Sequence, residues 1–241
     1  MSHDAQRDFI KIISENMKEY FHDSRVLEIG SLDINGTVRD FFTNCDYIGL
    51  DVAEGKHVDV VCEGQNYTAP DNSFDHVISC EAMEHNPYWV ETFENMIRVC
   101  KPGGLIVMTC ASTGRAEHGT SRTRSSDSPL TTELGWDYYL NLKESDFRNK
   151  VKFQDTFSKS CFWVNWTSYD LYFIGIKKNK CFLPENEVKW GLVSNAITEY
   201  VESANKLKIC RYRAFFARFF GDKWFSMMRA LEDSLAYIHG R

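Results

Sequence analysis

Several features that define other classes of protein are missing from this 241-residue sequence. No apolar run approaches the ~20 residues that a helix needs to span a bilayer, and the charged start MSHDAQRDFIKII has no signal-peptide core. The formal net charge of −6 gives no reason to expect nucleic acid as the main partner. The sequence has no internal repeat and no low-complexity tract. We therefore expect a cytoplasmic, enzyme-sized protein.

The eight cysteines include no C-x-x-C pair, the spacing common to zinc and redox sites. Four of them lie in or beside predicted core segments, namely Cys62, Cys80, Cys100 and Cys110. Free cysteines in such places act as small buried hydrophobes when the compartment is reducing. The sequence thus predicts no metal site.

Four short apolar segments follow one another along the first half of the chain: Val26–Ser31, Tyr47–Asp51, Phe74–His85 and Lys101–Cys110. The segments are rich in branched residues, and each apolar stretch ends in a small or acidic residue. This pattern is typical of buried parallel strands whose C-terminal ends line a ligand crevice.

The spacing predicts alternating strands and helices, which indicate a doubly wound α/β sheet. The predicted strands are Arg25–Ile29, Tyr47–Leu50, Val58–Val61, His76–Ser79 and Leu105–Cys110. The predicted helices are Asp4–His22, one that starts near Asn35-Gly36, and one from Pro87 to Val99. The segment Lys101-Pro102-Gly103-Gly104 then ends the third helix and turns the chain into the fifth strand.

The second half begins with a long polar loop over residues 111–134. A helix near Lys143–Asn149 follows, then strands Lys152–Phe157 and Tyr169–Ile176, with the aromatic segment Phe162–Trp166 between them. The chain is predicted helical from Pro184. We therefore expect a main domain over residues 1–180 and a helical extension over residues 181–241.

In order and spacing the four segments resemble class I S-adenosylmethionine-dependent methyltransferases. The tripeptide Met83-Glu84-His85 resembles the Leu-Glu-His-like tripeptide of the small-molecule, type 11-like group, and the likeness runs from Arg25 to Lys178. It implies a Rossmann-like, seven-stranded, mostly parallel sheet with an antiparallel closing strand, followed by the helical extension. It also implies S-adenosylmethionine as cofactor.

The first strand ends in Glu28-Ile29-Gly30-Ser31, where a glycine lets the backbone approach a ligand. The resemblance implies that Glu28, Gly30 and Ser31 contact the cofactor. Relatives carry further glycines at every second position, but Leu32 and Ile34 stand there, and Asn35-Gly36 offers a turn instead. Asp33 either caps the next helix or contacts the ligand.

Asp51 closes the second strand 23 residues after Glu28. An acid at about this distance is placed to accept hydrogen bonds from a ribose diol, in a methyltransferase or in a dinucleotide enzyme. The resemblance implies that Val52 packs on adenine, that Glu63-Gly64 holds its edge, and that Cys80-Glu81 lies beneath the methionine portion. Alternatively, Asp51 only caps the end of the strand, and Glu63 and Glu81 are solvated acids.

Two histidines are placed to act as general base if the methyl acceptor is a hydroxyl. His85 follows the fourth strand, and His118 lies in the long loop. A backbone hydrogen bond for His85 and loop mobility for His118 are the alternatives.

The long loop is basic, because it contains three arginines, Arg115, Arg122 and Arg124, and a single acid, Glu117, before Asp127. Guanidinium groups suit phosphate or carboxylate ligands, so we expect the loop to close over an anionic or polyhydroxylated acceptor. Its pattern also resembles methyltransferases encoded among sugar and surface-polysaccharide genes. Trp163, Asn165 and Trp166 either form a sugar-stacking wall or pack at the sheet edge.

The end of the chain, from Lys206 to Arg241, carries eight Lys/Arg and three Asp/Glu, interleaved with aromatic residues that include Trp224 and Phe225. Such helices lie on a membrane surface or pack on the domain or on another subunit. The leading hypothesis is methyl transfer to a hydroxyl of a small, sugar-like or anionic acceptor. A nucleotide-dependent oxidoreductase and a non-catalytic partner protein with this fold are the alternatives.

Overall fold

Seven strands form one sheet at the centre of the chain, in a computed structural model that describes residues 4–180 and 184–222. The strand order is β3-β2-β1-β4-β5-β7-β6. Neighbouring strands run parallel from β3 to β5, whereas β7 runs antiparallel to both β5 and β6. The predicted fold class is therefore confirmed. The strands are β1 Arg25–Ile29, β2 Asp46–Asp51, β3 Val60–Val61, β4 Phe74–Cys80, β5 Cys100–Ala111, β6 Phe157–Asn165 and β7 Asp170–Lys177.

Helices cover both faces of the sheet. They are α1 Asp4–Asn16, α2 Trp89–Val99, α3 Pro129–Glu133, α4 Glu144–Lys150, α5 Phe153–Thr156 and α6 Pro184–Asn205, followed by a helix over 208–222 that we name α7. Short 3-10 segments cover Lys18–Tyr20, Arg39–Phe41, Gly64–Asn66, Met83–His85 and Ser125–Asp127. Within the described ranges, no helix is both long and apolar enough to cross a bilayer.

The strands alternate their side chains between two apolar layers, as the period of two requires. Leu27 and Ile106 point to the layer that contains Phe93 of α2 and Phe147 of α4. Val26, Val107 and Ile174 point to the opposite layer, which α1 and α6 complete. In that layer Phe9 of α1 stacks on Tyr172 of β7, with ring centroids 4.4 Å apart. Helix α6, with buried Val193, Ile197 and Val201, thus shares the core of the sheet.

The helix predicted after the first strand is wrong. Only the 3-10 segment Arg39–Phe41 forms there. The Asp33 carboxylate accepts a hydrogen bond from the Gly36 amide at 2.9 Å, and the Thr37 hydroxyl accepts one from the Arg39 amide at 3.1 Å. Such side-chain bonds offer the backbone an alternative to helical pairing.

Two other boundaries differ from the prediction. The first helix ends at Asn16 rather than at His22, where the Asn16 side-chain amide donates to the Ile12 carbonyl at 2.8 Å. Residues 153–156 form α5, whereas a strand was predicted over Lys152–Phe157, and the sheet strand is the aromatic segment 157–165. Phe153, Phe157 and Phe162 all pack on the layer around Phe173, so burial of aromatic surface decides the boundary.

Candidate active site

A cleft opens where β1 and β4 lie side by side. The chain winds outward in opposite directions from this pair of strands, and ligands of doubly wound sheets bind at such a switch point. The residues that follow the strands supply one wall, among them Gly30, Asp51, Val52, Gly64, Glu81 and His85.

Gly30 brings the end of β1 close to the end of β4. Its φ is +84°, a region that side chains disfavour, and a Cβ built on it would lie 2.5 Å from the Cβ of Ala82. The Gly30 amide donates to the Leu50 carbonyl at 2.8 Å. This first glycine of the turn is therefore required by geometry, although Leu32 and Ile34 replace the later ones and line the cleft themselves.

Asp51 fixes the loop after β1 to the end of β2. One carboxylate oxygen accepts the Leu32 amide at 3.0 Å, and the other accepts the Val52 amide at 2.8 Å. Burial raises the pKa of Asp51, and the same two backbone bonds oppose that rise. Because each carboxylate oxygen can accept a second hydrogen bond, Asp51 retains the capacity to bind two ribose hydroxyls.

Glu28 lies behind the cleft rather than on its wall. Its buried carboxylate accepts a hydrogen bond from the Tyr47 hydroxyl at 2.8 Å. Burial raises the pKa of Glu28 to about 7, and the Tyr47 bond partly offsets this. A cofactor contact by Glu28 stays a prediction.

Three further residues predicted to bind the cofactor lie near the cleft but do not line it: Ser31, Glu63 and Cys80. Ser31 and Cys80 are buried, and burial raises the pKa of the Cys80 thiol well above its usual value. The Glu63 carboxylate accepts the side-chain amides of Gln65 at 2.6 Å and Asn66 at 2.8 Å. Their ligand roles also stay predictions.

The opposite wall comes from a part of the long loop that the sequence argument missed. Residues 127–131, at the start of α3, and Trp136 line the cleft. The Trp136 ring packs on Tyr88, with centroids 5.7 Å apart. The available signal was the Ser128-Pro129 helix start followed by apolar Leu130, inside an otherwise polar loop.

The three loop arginines do not line the cleft. Arg115 pairs with the buried Asp170 at 3.4 Å, and Arg122 pairs with Glu117 at 2.8 Å and Asp137 at 2.7 Å. Arg124 is exposed and forms no ion pair with any residue in 4–180 or 184–222. Of the three, only Arg124 offers a guanidinium that is not already paired within that part of the chain.

The two predicted catalytic histidines come together at the mouth of the cleft. The ring of His85 lies 4.9 Å from that of His118, and the Tyr139 ring lies within 5.4 Å of both. Burial lowers the pKa of His85 to about 3, helped by the neighbouring His118. His85 is therefore a neutral imidazole at pH 7.

Buried carboxyl groups surround this histidine pair. Glu81 and Glu84 lie beside Asp170, with Arg115 as the nearby cation. Burial is the main cause that raises the pKa of Glu81 well above its usual value, and Asp170 and Glu84 add to it. The Thr109 hydroxyl donates to Glu81 at 3.4 Å.

The tryptophans of β6 lie outside the cleft. The Trp163 indole donates to the Thr198 hydroxyl of α6 at 3.0 Å, and the buried Asn165 amide donates to the Tyr172 hydroxyl at 3.2 Å. The sheet-edge interpretation accounts for both contacts.

Comparisons with known proteins agree with this geometry. A family model described as a methyltransferase domain matches residues 30–108. A 1,6-didemethyltoxoflavin-N1-methyltransferase from Burkholderia thailandensis, solved with 1,6-didemethyltoxoflavin and S-adenosylhomocysteine, has a TM-score of 0.50 at 12% identity and covers 73% of this chain and 79% of its own. An N-methyltransferase from Haemonchus contortus, solved with phosphomonomethylethanolamine and S-adenosylhomocysteine, has a TM-score of 0.50 at 15% identity over 71% of this chain and 52% of its own. No curated protein matches the sequence significantly.

At these identities the solved structures show a shared fold, and the family match adds the domain type. The matched segment contains Gly30, Asp51, Gly64, Glu81 and His85, which form the strand-end wall of the cleft. This match favours a methyltransferase over the nucleotide-dependent oxidoreductase. Residues 30–108 of the chain match a methyltransferase domain, and the sheet around them has the Rossmann-like fold of the solved methyltransferases.

Proposed function

We propose that the protein transfers the methyl group of S-adenosylmethionine to a hydroxyl of a small, sugar-like or anionic acceptor. The observation that carries this proposal is the position of His85 on the cleft wall, with its ring 4.9 Å from that of His118. Methyl transfer from a sulfonium is an in-line displacement, so positioning supplies most of the rate. A hydroxyl must also lose its proton, and these two imidazoles are the groups placed to accept it.

On the cofactor side, Asp51 would accept the ribose hydroxyls with its remaining lone pairs. Val52 and Gly64 line the adenine end, and Gly30 and Glu81 line the methionine end. The support for this arrangement is their shared position on the cleft wall. Their order along the cleft follows the methyltransferase resemblance.

On the acceptor side, the wall formed by the long loop offers both polar and aromatic contacts. Ser128 and Thr131 present hydroxyls, and Trp136 presents an indole on which a sugar ring can pack. The exposed Arg124 is the arginine available for a phosphate or carboxylate on the acceptor. This combination supports a polyhydroxylated or anionic small molecule.

The test is methyl transfer from labelled S-adenosylmethionine to a panel of nucleotide sugars, sugar phosphates and free sugars, with small amines for comparison. We expect product from a hydroxyl acceptor and a roughly 10²–10⁴-fold loss of turnover in His118→Ala. The matched control is His22→Ala, because His22 is exposed and does not line the cleft.

Methylation of amines alone would refute a hydroxyl acceptor. Binding of the cofactor with no turnover of any acceptor would favour the non-catalytic interpretation. Unchanged turnover in Arg124→Ala, together with unchanged turnover in Arg122→Ala, would remove the proposed role of the loop arginines.

We further propose a cytoplasmic location and a peripheral contact through α7. All seven cysteines within the described residues are free, in keeping with a reducing compartment. Phe215 and Phe219 are more than half exposed and share a helix face with Arg211 and Arg218, as in helices that bind anionic membranes. Trp224, Phe225 and the rest of 223–241 lie outside the described residues. Flotation with anionic vesicles but not with neutral ones would support this contact, and a stable dimer without flotation would contradict it.

A further inference from the structure

Three potential metal ligands converge beside the cleft. Glu84 and His85 lie in the 3-10 segment that follows β4, and His118 comes from the loop after β5. One ligand atom from each lies within 4.8 Å of the other two. We propose that Glu84, His85 and His118 bind a divalent transition-metal ion at the acceptor side of the cleft.

The buried ligand atoms lack other partners. Glu84 has no exposed surface, and neither of its carboxylate oxygens has a hydrogen-bond partner of good geometry beyond a contact with its own backbone. The ring nitrogens of His85, which is 3% exposed, have none either beyond a weak contact with the Tyr138 backbone. Buried polar groups are nearly always satisfied, because each one left unpaired costs about 1–3 kcal/mol. A bound cation would satisfy both residues at once.

The third ligand is held in a suitable orientation. The Nδ1 atom of His118 lies 3.0 Å from the Ala116 carbonyl oxygen. When that nitrogen donates its proton to the carbonyl, Nε2 is left unprotonated and able to ligate a metal. Tyr139 donates its hydroxyl to the same carbonyl at 3.1 Å, which braces the backbone at this point.

The local charge also favours a cation. Three carboxyl groups, of Glu81, Glu84 and Asp170, are buried in this region, and Arg115 pairs with Asp170 at 3.4 Å. Three buried carboxyls beside one guanidinium leave an excess of negative charge if they ionise. A divalent ion would balance that excess, which buried carboxylates require.

The ligand set selects the class of ion. Two imidazoles and one carboxylate suit Zn²⁺, Mn²⁺, Co²⁺ or Fe²⁺, whereas Mg²⁺ and Ca²⁺ prefer oxygen ligands alone. Three protein ligands also leave coordination positions open for another group. Its catalytic use rests on the proposed function: with both imidazoles bound to it, the ion rather than a free imidazole would activate the acceptor hydroxyl by lowering its pKa, and the proton would leave to solvent. The binding of the ion is independent of that use.

A titration with Mn²⁺ tests the site. The full chain is first treated with a chelator, and the paramagnetic resonance signal then measures how much of the added Mn²⁺ remains free. Mn²⁺ is the suitable probe because it prefers oxygen and nitrogen to the thiolates of the eight cysteines. We expect one bound Mn²⁺ per chain, and an affinity at least ~10–100-fold lower in Glu84→Gln and His118→Ala. The control His22→Ala, a change at an exposed histidine, should bind as the unaltered chain does.

Binding of S-adenosylhomocysteine shows whether each variant is folded. His118 is suited to this control because it is partly exposed and does not line the cleft. Absence of stoichiometric Mn²⁺ binding would overturn the site, as would binding that survives in a folded His118→Ala variant. Turnover of a hydroxyl acceptor that persists after chelation would refute the catalytic use of the ion while leaving the proposed function intact. Metal binding that depends on His118, with no acceptor methylated, would refute the proposed function instead.

Discussion

The two walls of the cleft are built in different ways. The wall that we propose for the cofactor, here called the cofactor wall, consists of strand ends, where Gly30 and Asp51 form hydrogen bonds with the backbone of residues at most about 20 positions away. The wall that we propose for the acceptor, here called the acceptor wall, combines the end of β4 with a loop that reaches residue 139, and its contacts join His85 to His118 and Tyr139. The first wall is fixed by strand register, and the second by packing between distant segments. Substitutions should therefore separate cofactor binding from turnover.

The largest effect is expected from Gly30→Ala on the cofactor wall. A Cβ at φ +84° is strained, and it would lie 2.5 Å from Ala82, so the ends of β1 and β4 must separate. We expect a loss of about 3 kcal/mol in folding stability and a roughly 100-fold weaker affinity for S-adenosylhomocysteine, measured by denaturation and calorimetry. Ala82→Gly in the same chain should restore part of both.

The control for this change is Gly191→Ala. Gly191 lies within α6, and no atom lies within 4 Å of a Cβ built on it. Alanine there should leave affinity unchanged and add up to about 1 kcal/mol of stability. Equal effects of the two variants would refute the close approach of β1 and β4 as the reason for Gly30.

The second effect concerns Glu28, which lies behind the cofactor wall and makes the free energy of unfolding depend on pH. The pKa of Glu28 is raised to about 7 in the folded chain, so its contribution to stability is greatest below the unfolded value and falls as pH rises to about 7. Relative to the unaltered chain, Glu28→Gln should therefore gain about 2 kcal/mol in free energy of unfolding between pH 5 and pH 8.

Urea denaturation of both chains at several pH values measures this difference. Burial lowers the pKa values of His76 and His85 to about 3, so their contribution to stability is lost as pH falls below about 6.5. Both chains contain these histidines, and the difference between the chains therefore cancels this opposite trend. A gain that does not vary with pH would contradict the ionisation of Glu28.

Asp51→Asn tests the predicted contact between the cofactor wall and the ribose of the ligand. The amide keeps the shape of the side chain but replaces one acceptor oxygen and removes the charge that strengthens its hydrogen bonds. We expect S-adenosylhomocysteine affinity to fall by roughly 10–30-fold, in line with about 1.5–2 kcal/mol for such bonds. Asp46→Asn, which alters an exposed carboxylate on the same strand, should have no measurable effect on affinity.

The smallest effect is expected on the acceptor wall, from Gly119→Ala. A Cβ there, at φ +64°, would lie 2.6 Å from Cβ of Ser128 and 2.8 Å from Cε1 of His85. We expect turnover to fall by about tenfold, as small displacements of groups in the site allow, with cofactor affinity unchanged. Gly135 also has a positive φ, of +76°, but has no atom within 4 Å of a Cβ, so Gly135→Ala controls for backbone strain alone. Equal losses in both variants would refute the contacts with Ser128 and His85 as the cause.

The sequence predictions were most accurate where the signal was local. The buried strands β1, β2 and β4 and helix α2 lie where the apolar runs predicted them. The missing helix after β1 and the misplaced strand at 152–157 have a shared cause. In both places side-chain contacts, of Asp33 and Thr37 in one case and of Phe153 and Phe157 in the other, override the local pattern. The division into domains at residue 180 stays a prediction.

The same limit applies to the candidate site. Asp51 and Gly30 follow strand ends directly, so spacing along the chain was enough to select them. The arginine prediction relied on composition, which does not reveal that Arg122 is paired with Glu117 and Asp137. Nor does composition reveal that Trp136 and residues 127–131 form the second wall.

The sequence by itself determined the sheet and the strand ends, because alternation and spacing act over a few residues, and the resemblance of its four segments to methyltransferases implied the cofactor. Only the tertiary structure placed His118 beside Glu84 and His85, 33 residues away from the latter along the chain. That meeting depends on the path of a long loop, which packs against Tyr139 and has no Cβ at Gly119. Long-range packing of this kind has no periodicity in the sequence, and for that reason the meeting of these three side chains emerged from the fold alone.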